Sequence, residues 1–185
     1  MSKVKVLLAD DHTLFRQGIA GLLGAYGDLE VICEVSNGSD ALSKSVELQP
    51  GLVLIDVSMP GLSSFEATRQ IKKARPETMV MFLSMYDDED YLQLAVESGA
   101  GGYVLKNTAA PELIAAIREV ASGGSYLSPL LMSRLVDDFR GRTKGPTQVS
   151  RFRTLTAREL EVLKMLAEGG SVKEIACDLN LSTKT

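Results

Sequence analysis

Apolar and polar positions follow two different periods along the first two-thirds of the chain. Continuous apolar runs fall at Val4–Ala9, Val31–Val35, Leu52–Asp56, Met79–Ser84 and Gly102–Leu105. Between them, apolar residues recur at helical spacing through Leu14–Ala25, Ser39–Leu48, Phe65–Lys73, Glu89–Ser98 and Pro111–Ala121. Runs this short read as buried strands, and the spaced stretches as amphipathic helices. Strands alternating with helices predict a parallel sheet covered on both faces. Chain order does not fix strand order. The expected closure is a doubly wound, five-stranded, flavodoxin-like α/β sheet.

The pattern then changes. Ser128–Arg140 reads as one more helix, and residues 140–153, RGRTKGPTQVSRFR, as a basic linker broken by Gly and Pro. Thr156 and Glu159 have capping-box spacing, and Leu160, Leu163 and Leu166 form a helical stripe ended by Gly169 and Gly170. Ser171 and Glu174 repeat the box ahead of Val172, Ile175, Ala176 and Leu179. Ser182 is placed to cap a third helix, and the sequence stops at Thr185.

Composition narrows the class. With 185 residues, 45% of them apolar, the chain has room for one full domain and a small second one. No apolar run approaches the roughly 18 residues of a membrane span. The opening MSKVKVLLADD meets acids too early for a signal peptide and lacks a small-residue cleavage site. Cys33 and Cys177 are then expected as reduced core residues of a cytoplasmic protein with no membrane partner. The net charge of −4 is unevenly spread: residues 1–139 carry 11 basic and 19 acidic residues, residues 140–185 carry 9 basic and 5 acidic. The basic end suggests nucleic acid as a partner. A solvated surface without such a partner would carry the same charges.

The chemistry concentrates at strand ends. In a parallel sheet, sites form beyond the carboxyl ends of the strands. Asp10 and Asp11 follow the first strand, Asp56 ends the third, Ser84 ends the fourth and Lys106 follows the fifth. Adjacent acids after an apolar run repel each other and are costly to bury without compensation. Three carboxylates converging on one edge offer the hard oxygen ligands that Mg²⁺ takes. Asp56, between the acid pair and Lys106, is placed to attack a phosphoryl group and become an aspartyl phosphate. A metal and Lys106 would neutralise the transferring oxygens, and Ser84 could hydrogen-bond one of them.

These residues resemble a known family. ADDH, LIDVSMPG with Asp56, LSMYDD with Ser84 and GYVLKN with Lys106 look like the receiver domain of two-component response regulators, from residue 3 to about 122. The resemblance implies phosphoryl transfer from a sensor histidine kinase to Asp56. It implies Mg²⁺ held by Asp11, Asp56 and the main-chain carbonyl of Ser58, with Asp10 acting mainly through water. It also implies a switch in which Ser84 shifts toward the phosphoryl group and the ring of Tyr103 swings inward. The later SGGSYLSP and LTARELEVLKMLAEGGSVKEIACDLNLSTKT resemble the NarL/FixJ subclass and the opening of a LuxR-type helix-turn-helix. On this basis residues 1–122 form the receiver domain, 123–153 a connecting helix and basic linker, and 154–185 the first part of a helix-turn-helix domain. The family implies a regulator of transcription rather than an enzyme, one that promotes its own phosphotransfer and dephosphorylation. It further implies a homodimer on phosphorylation, through the helices around Phe15–Leu22 and Leu113–Val120. A full helix-turn-helix would bind DNA. With only Ser182–Thr185 of the expected recognition helix, this chain is expected to bind DNA weakly or not at all.

Two positions depart from the common receiver pattern. Ser64 stands where many receivers have Gly, and Ser63 with Glu66 offers a capping box instead. Asn107 stands where many have Pro after the lysine, which argues against a cis peptide. His12 has no Cys or Ser partner at metal or triad spacing and reads as a structural residue at the first helix start. Tyr103 could equally be plain core. Asp87, Asp88, Glu89 and Asp90 suit the first turn of a helix. Met79, Met81 and Met85 read as core filler, and Gly101 with Gly102 as a tight turn. A rival function is an Mg²⁺-dependent aspartyl-phosphate phosphatase, whose general acid would stand two residues after the nucleophile; Ser58 occupies that place. A phosphate-independent interaction module is the other rival, and it would not need the full set Asp10, Asp11, Asp56, Ser84 and Lys106.

Overall fold

The computed structural model describes residues 3–129 and 131–133. The chain divides into two compact units, Met1–Leu127 and Ser128–Thr185. The first unit runs β1 (Val4–Ala9), α1 (Thr13–Gly24), β2 (Leu29–Val35), α2 (Gly38–Leu48), β3 (Leu52–Asp56) and α3 (Ser64–Ala74). It continues with β4 (Met79–Ser84), α4 (Glu89–Glu97), β5 (Gly102–Leu105), α5 (Ala110–Ala121) and β6 (Tyr126–Leu127). One sheet holds all these strands in the order β2-β1-β3-β4-β5-β6, and each neighbouring pair is parallel. The chain steps outward from β1 to β2 and then crosses back to β3. The reversal between β1 and β3 is the switch point of a doubly wound sheet.

The sheet is the expected one with a sixth strand added. Two residues are too short to show any period, so β6 is invisible in the pattern. It is held by contacts made elsewhere in the chain. The Tyr126 amide donates to the Gly101 carbonyl at 3.0 Å, and its phenol donates to the Glu112 carboxylate at 2.8 Å. Because β6 pairs with β5, the first unit reaches Leu127, past the boundary at 122 drawn from the sequence.

Alternation along the central strands separates two faces. Val6, Leu8, Leu54 and Leu83 join Ile19 and Leu23 of α1 and Ile114 and Ile117 of α5 in one cluster. On the other face Phe82 lies 5.0 Å from Phe65 of α3 and 6.3 Å from Tyr103, and Phe65 lies 6.0 Å from Tyr91 of α4. Burying one such side chain contributes about 1.5–3 kcal/mol. A core of this size can hold a few unfavourable acids at its edge.

Helix starts follow local capping. Asn37 accepts from the Asp40 amide at 2.8 Å, Ser63 from Glu66 at 3.3 Å and Asp88 from Asp90 at 3.0 Å. The Glu66 carboxylate is bonded to Arg69 and Gln70, so half of the anticipated box forms. Among the described residues there is no cis peptide, Asn107 included. No described helix is long and apolar enough to cross a membrane.

Three readings are corrected. Met81 is buried and Met79 packs on the core, but Met85, just past β4, is 72% exposed. Hydropathy cannot tell which side of a strand end a residue leaves from. Cys33, on the edge strand β2, is half-buried rather than core. Gly101 and Gly102 make no left-handed turn; that role falls to Gly99, with φ 89°. Gly102 is glycine because a Cβ there would stand 2.8 Å from both Met81 and Val120. Of the second unit, Pro129 and residues 131–133 are helical, and the Met132 amide donates to the Ser128 carbonyl at 3.0 Å. The remainder of the expected helix to Arg140, the linker, Cys177 and the helix-turn-helix lie outside the described residues.

Candidate phosphoryl-acceptor site

Each predicted residue leaves the sheet at its carboxyl edge. β1 hands on to Asp10, whose amide donates to the Val35 carbonyl at 3.1 Å. The Asp10 carboxylate accepts from the His12 amide at 2.8 Å, and the Arg16 guanidinium caps its main-chain carbonyl. Asp56 is the last residue of β3, and the next amide, of Val57, donates to the Leu83 carbonyl at 3.0 Å. Ser84 ends β4, and its carbonyl accepts from the Lys106 amide at 2.7 Å. These main-chain bonds fix the roots of four side chains within one edge. Ser58 follows two residues after β3 and is half-buried.

The acids are buried and compensated by one cation. Asp10 is fully buried and Asp56 is 3% exposed. Lys106 Nζ lies 2.8 Å from Asp10 Oδ2 and 2.8 Å from Asp56 Oδ2. Burial pushes the Asp56 carboxyl up to about 7, aided by the negative charges of Asp10 and Asp11 and opposed by Lys106. For Lys106 burial works against the charge, yet Asp56 and Asp10 outweigh it and hold the ammonium above its usual range. One positive charge thus faces two buried carboxylates, with an exposed third, Asp11, beside them. That excess of negative charge is what a hard divalent cation relieves.

His12 stands at the start of α1, as its structural reading has it, and its ring also reaches the acidic cluster. It is the residue preceding α1, and its side chain caps nothing. Its Nδ1 lies 2.8 Å from Asp11 Oδ1, 3.4 Å from Asp10 Oδ1 and 3.8 Å from Asp56 Oδ2. One ligand atom from each of Asp10, Asp11, His12 and Asp56 fits within 4.8 Å of the others. The only available signal was adjacency to the acid pair. Phe15 was also missed. Its ring, first in the apolar stripe of α1, has Lys106 Nζ 4.7 Å from its centroid.

Ser84 and Tyr103 belong to the other face of the sheet and meet at one residue, Tyr86, on the two peptide groups that flank it. The Ser84 hydroxyl accepts from the Tyr86 amide at 2.9 Å, and the Tyr103 hydroxyl donates to the Tyr86 carbonyl at 2.9 Å. Tyr103 is buried, with its ring already inside. Burial raises its phenol above the ordinary range.

A conserved-family model for the response regulator receiver domain matches residues 6–118, and one for bacterial regulatory proteins of the luxR family matches residues 153–185. The chain belongs to the response regulators. It is similar to the oxygen regulatory protein NreC of Staphylococcus carnosus, with 39% identity over 98% of this chain and 85% of the relative. A LuxR-family two-component response regulator from Aurantimonas superposes with a TM-score of 0.72 at 27% identity, over 75% of this chain and 99% of that one. An RcsB structure, of two dimers bound to two parallel DNAs, gives 0.67 at 26% identity, over 98% and 85%. The receiver match lies within the first compact unit and the luxR match at the basic end of the chain. This response regulator is thus of the NarL/FixJ type, a two-component protein that controls transcription and not a conventional enzyme.

Proposed function

We propose that Asp56 is the phosphoryl acceptor of this response regulator and that a sensor histidine kinase is the donor. The observation that carries this reading is Asp56 itself: a nearly buried carboxylate at a strand end, 2.8 Å from Lys106 and inside an acidic cluster. In the transfer an Asp56 oxygen attacks phosphorus, the P–N bond to the kinase histidine breaks and a P–O bond forms. Lys106 meets the charge of the incoming phosphoryl oxygens, and Ser84 turns from the Tyr86 amide to bond one of them. Tyr103 packs behind Ser84 and carries the change to the outer surface.

The carboxylate oxygens of Asp10, Asp11 and Asp56, gathered with His12 in one cluster, suit Mg²⁺, and the main-chain carbonyl of Ser58 would complete the donor set. When bound, the ion supplies neutralising charge for the phosphoryl oxygens. Hydrolysis of the aspartyl phosphate at this same site returns the protein to rest. Phosphorylation favours a homodimer. Leu113, Ile114, Ala116, Ile117, Val120 and Ile19 face the core, so the contact surface is what α1 and α5 leave outside, including Leu14, which is 85% exposed. A dimer with a full helix-turn-helix, the module that residues 153–185 match, would act on DNA in the cytoplasm.

The test is direct. Incubation with acetyl phosphate and Mg²⁺ should add one phosphoryl mass, mapped to the peptide holding Asp56. Equal labelling of Asp56→Asn would rule out this assignment. Sedimentation with and without beryllofluoride reads the dimer, and an unchanged monomer counts against it.

A further inference from the structure

The stripe that fastens α1 to the sheet begins at Phe15 and continues at helical spacing through Ile19, Leu22 and Leu23. Ile19 and Leu23 meet other apolar side chains in the core. Phe15 packs on that cluster too, but its ring also faces a charge. Lys106 Nζ stands over the ring, 4.7 Å from the centroid. The same ammonium lies 2.8 Å from an oxygen of Asp10 and 2.8 Å from one of Asp56. A cation within about 6 Å of a ring centroid is attracted by the negative face of the ring, and more strongly where water is excluded. The Lys106 side chain is only 5% exposed.

We propose that Phe15 is a positioning residue for Lys106. The inference rests on the reading of Asp56 as the acceptor. A lysine stem has many rotamers and its ammonium is strongly hydrated. The main chain fixes only its root, through the bond from the Lys106 amide to the Ser84 carbonyl. The ring removes water from the ammonium and narrows where it can stand, without offering a hydrogen bond that would compete with the carboxylates. The ammonium is therefore in place before the phosphoryl group arrives. With acetyl phosphate as donor, an Asp56 oxygen attacks phosphorus, the P–O bond to the acetyl group breaks and acetate leaves with the bonding pair. Lys106 meets the oxygens of the transferred group, so the ring acts on the rate of transfer and not on capture of the donor.

The experiment compares the full chain with Phe15→Leu, Phe15→Tyr, Lys106→Met and the double variant Phe15→Leu/Lys106→Met. Labelling of Asp56 by acetyl phosphate is followed by mass, and each variant is also melted thermally. Phe15→Leu, which keeps apolar bulk but loses the ring, should slow the saturating rate by about three- to tenfold with little change in KM. Phe15→Tyr should restore it. In the Lys106→Met background, Phe15→Leu should change nothing. A wild-type rate in Phe15→Leu, or an undiminished effect in the double variant, would overturn the proposal. A second readout needs no phosphorylation: the ε-methylene protons of Lys106 should be shifted upfield by the ring in the unsubstituted chain and relax in Phe15→Leu. Unshifted protons would also overturn it. Failure of the unsubstituted chain to label Asp56, with the upfield shift present, would instead strike the acceptor reading while leaving the ring contact standing.

Discussion

Lys106 Nζ bridges Asp10 Oδ2 and Asp56 Oδ2, 2.8 Å from each. The two buried acids share this one close ammonium, so its removal is not a surface change. Lys106→Ala would leave both carboxylates buried without it, and breaking such a pair costs on the order of 3 kcal/mol. We expect the urea midpoint of metal-free Lys106→Ala to fall clearly at pH 8. At pH 5 the loss should shrink, because Asp56 then holds a proton. A loss of equal size at both pH values would show that the lysine supports the fold through packing alone.

Asp56 gives its own pH dependence. Its carboxyl titrates near 7 in the folded chain against an ordinary value of 3.8. Between those values the unfolded chain has released the proton and the folded chain keeps it. Stability of the metal-free protein therefore falls as pH rises through that window and levels above about 7. Asp56→Asn removes the titration. Its advantage over the parent should grow from pH 5 to pH 7 and reach on the order of 2 kcal/mol. Urea titrations at a series of pH values, with chelator present, measure it. A constant advantage across the series would refute the burial argument.

The strands and the acidic edge were readable because each has a local cause. Leu52, Val53, Leu54 and Ile55 are all fully buried, so β3 shows as an unbroken apolar run. Asp10, Asp56, Ser84 and Lys106 stand where those runs stop, and the rule for parallel sheets brings strand ends together. α4 starts at Glu89 as expected, whereas α2 and α3 start one residue earlier than their apolar stripes suggest because the caps Asn37 and Ser63 decide them. What stayed hidden depends on distant partners. β6 needs the Gly101 carbonyl and Glu112. The His12 ring needs Asp56, and the Phe15 contact needs Lys106, far along the chain. Neither Gly38 nor Gly102 carries a turn with positive φ; only the neighbour across the fold explains either.

Gly38 opens α2, where a Cβ would stand 2.1 Å from the Leu62 carbonyl oxygen. The obstacle is main chain, so no side chain can rotate away. Gly38→Ala must push back the segment between β3 and α3, which also carries Ser58. We expect a loss of about 1–3 kcal/mol, as for other overpacked sites. Slower labelling of Asp56 should accompany it. Denaturation and the acetyl phosphate assay on the same preparation check both, and a variant with parental stability would contradict the close approach.

The Tyr86 main chain ties the two proposed switch residues together. Its N–H donates to the Ser84 hydroxyl and its carbonyl accepts from the Tyr103 hydroxyl, both at 2.9 Å. A shift of Ser84 Oγ toward a phosphoryl group on Asp56 takes the acceptor away from the Tyr86 amide, so that amide reports the switch from outside the acidic cluster. In the resting protein the Tyr86 amide should be protected from hydrogen exchange. Ser84→Ala should expose it directly. Tyr103→Phe removes the bond on the other side of the same residue, worth about 1 kcal/mol, and should speed exchange by about fivefold. Beryllofluoride with Mg²⁺ should reproduce the Ser84→Ala pattern in the unsubstituted chain and add nothing to it in the variant. Exchange at Tyr86 that ignores beryllofluoride while Asp56 is occupied would mean that Ser84 does not move, and the signal would have to leave the site by another route.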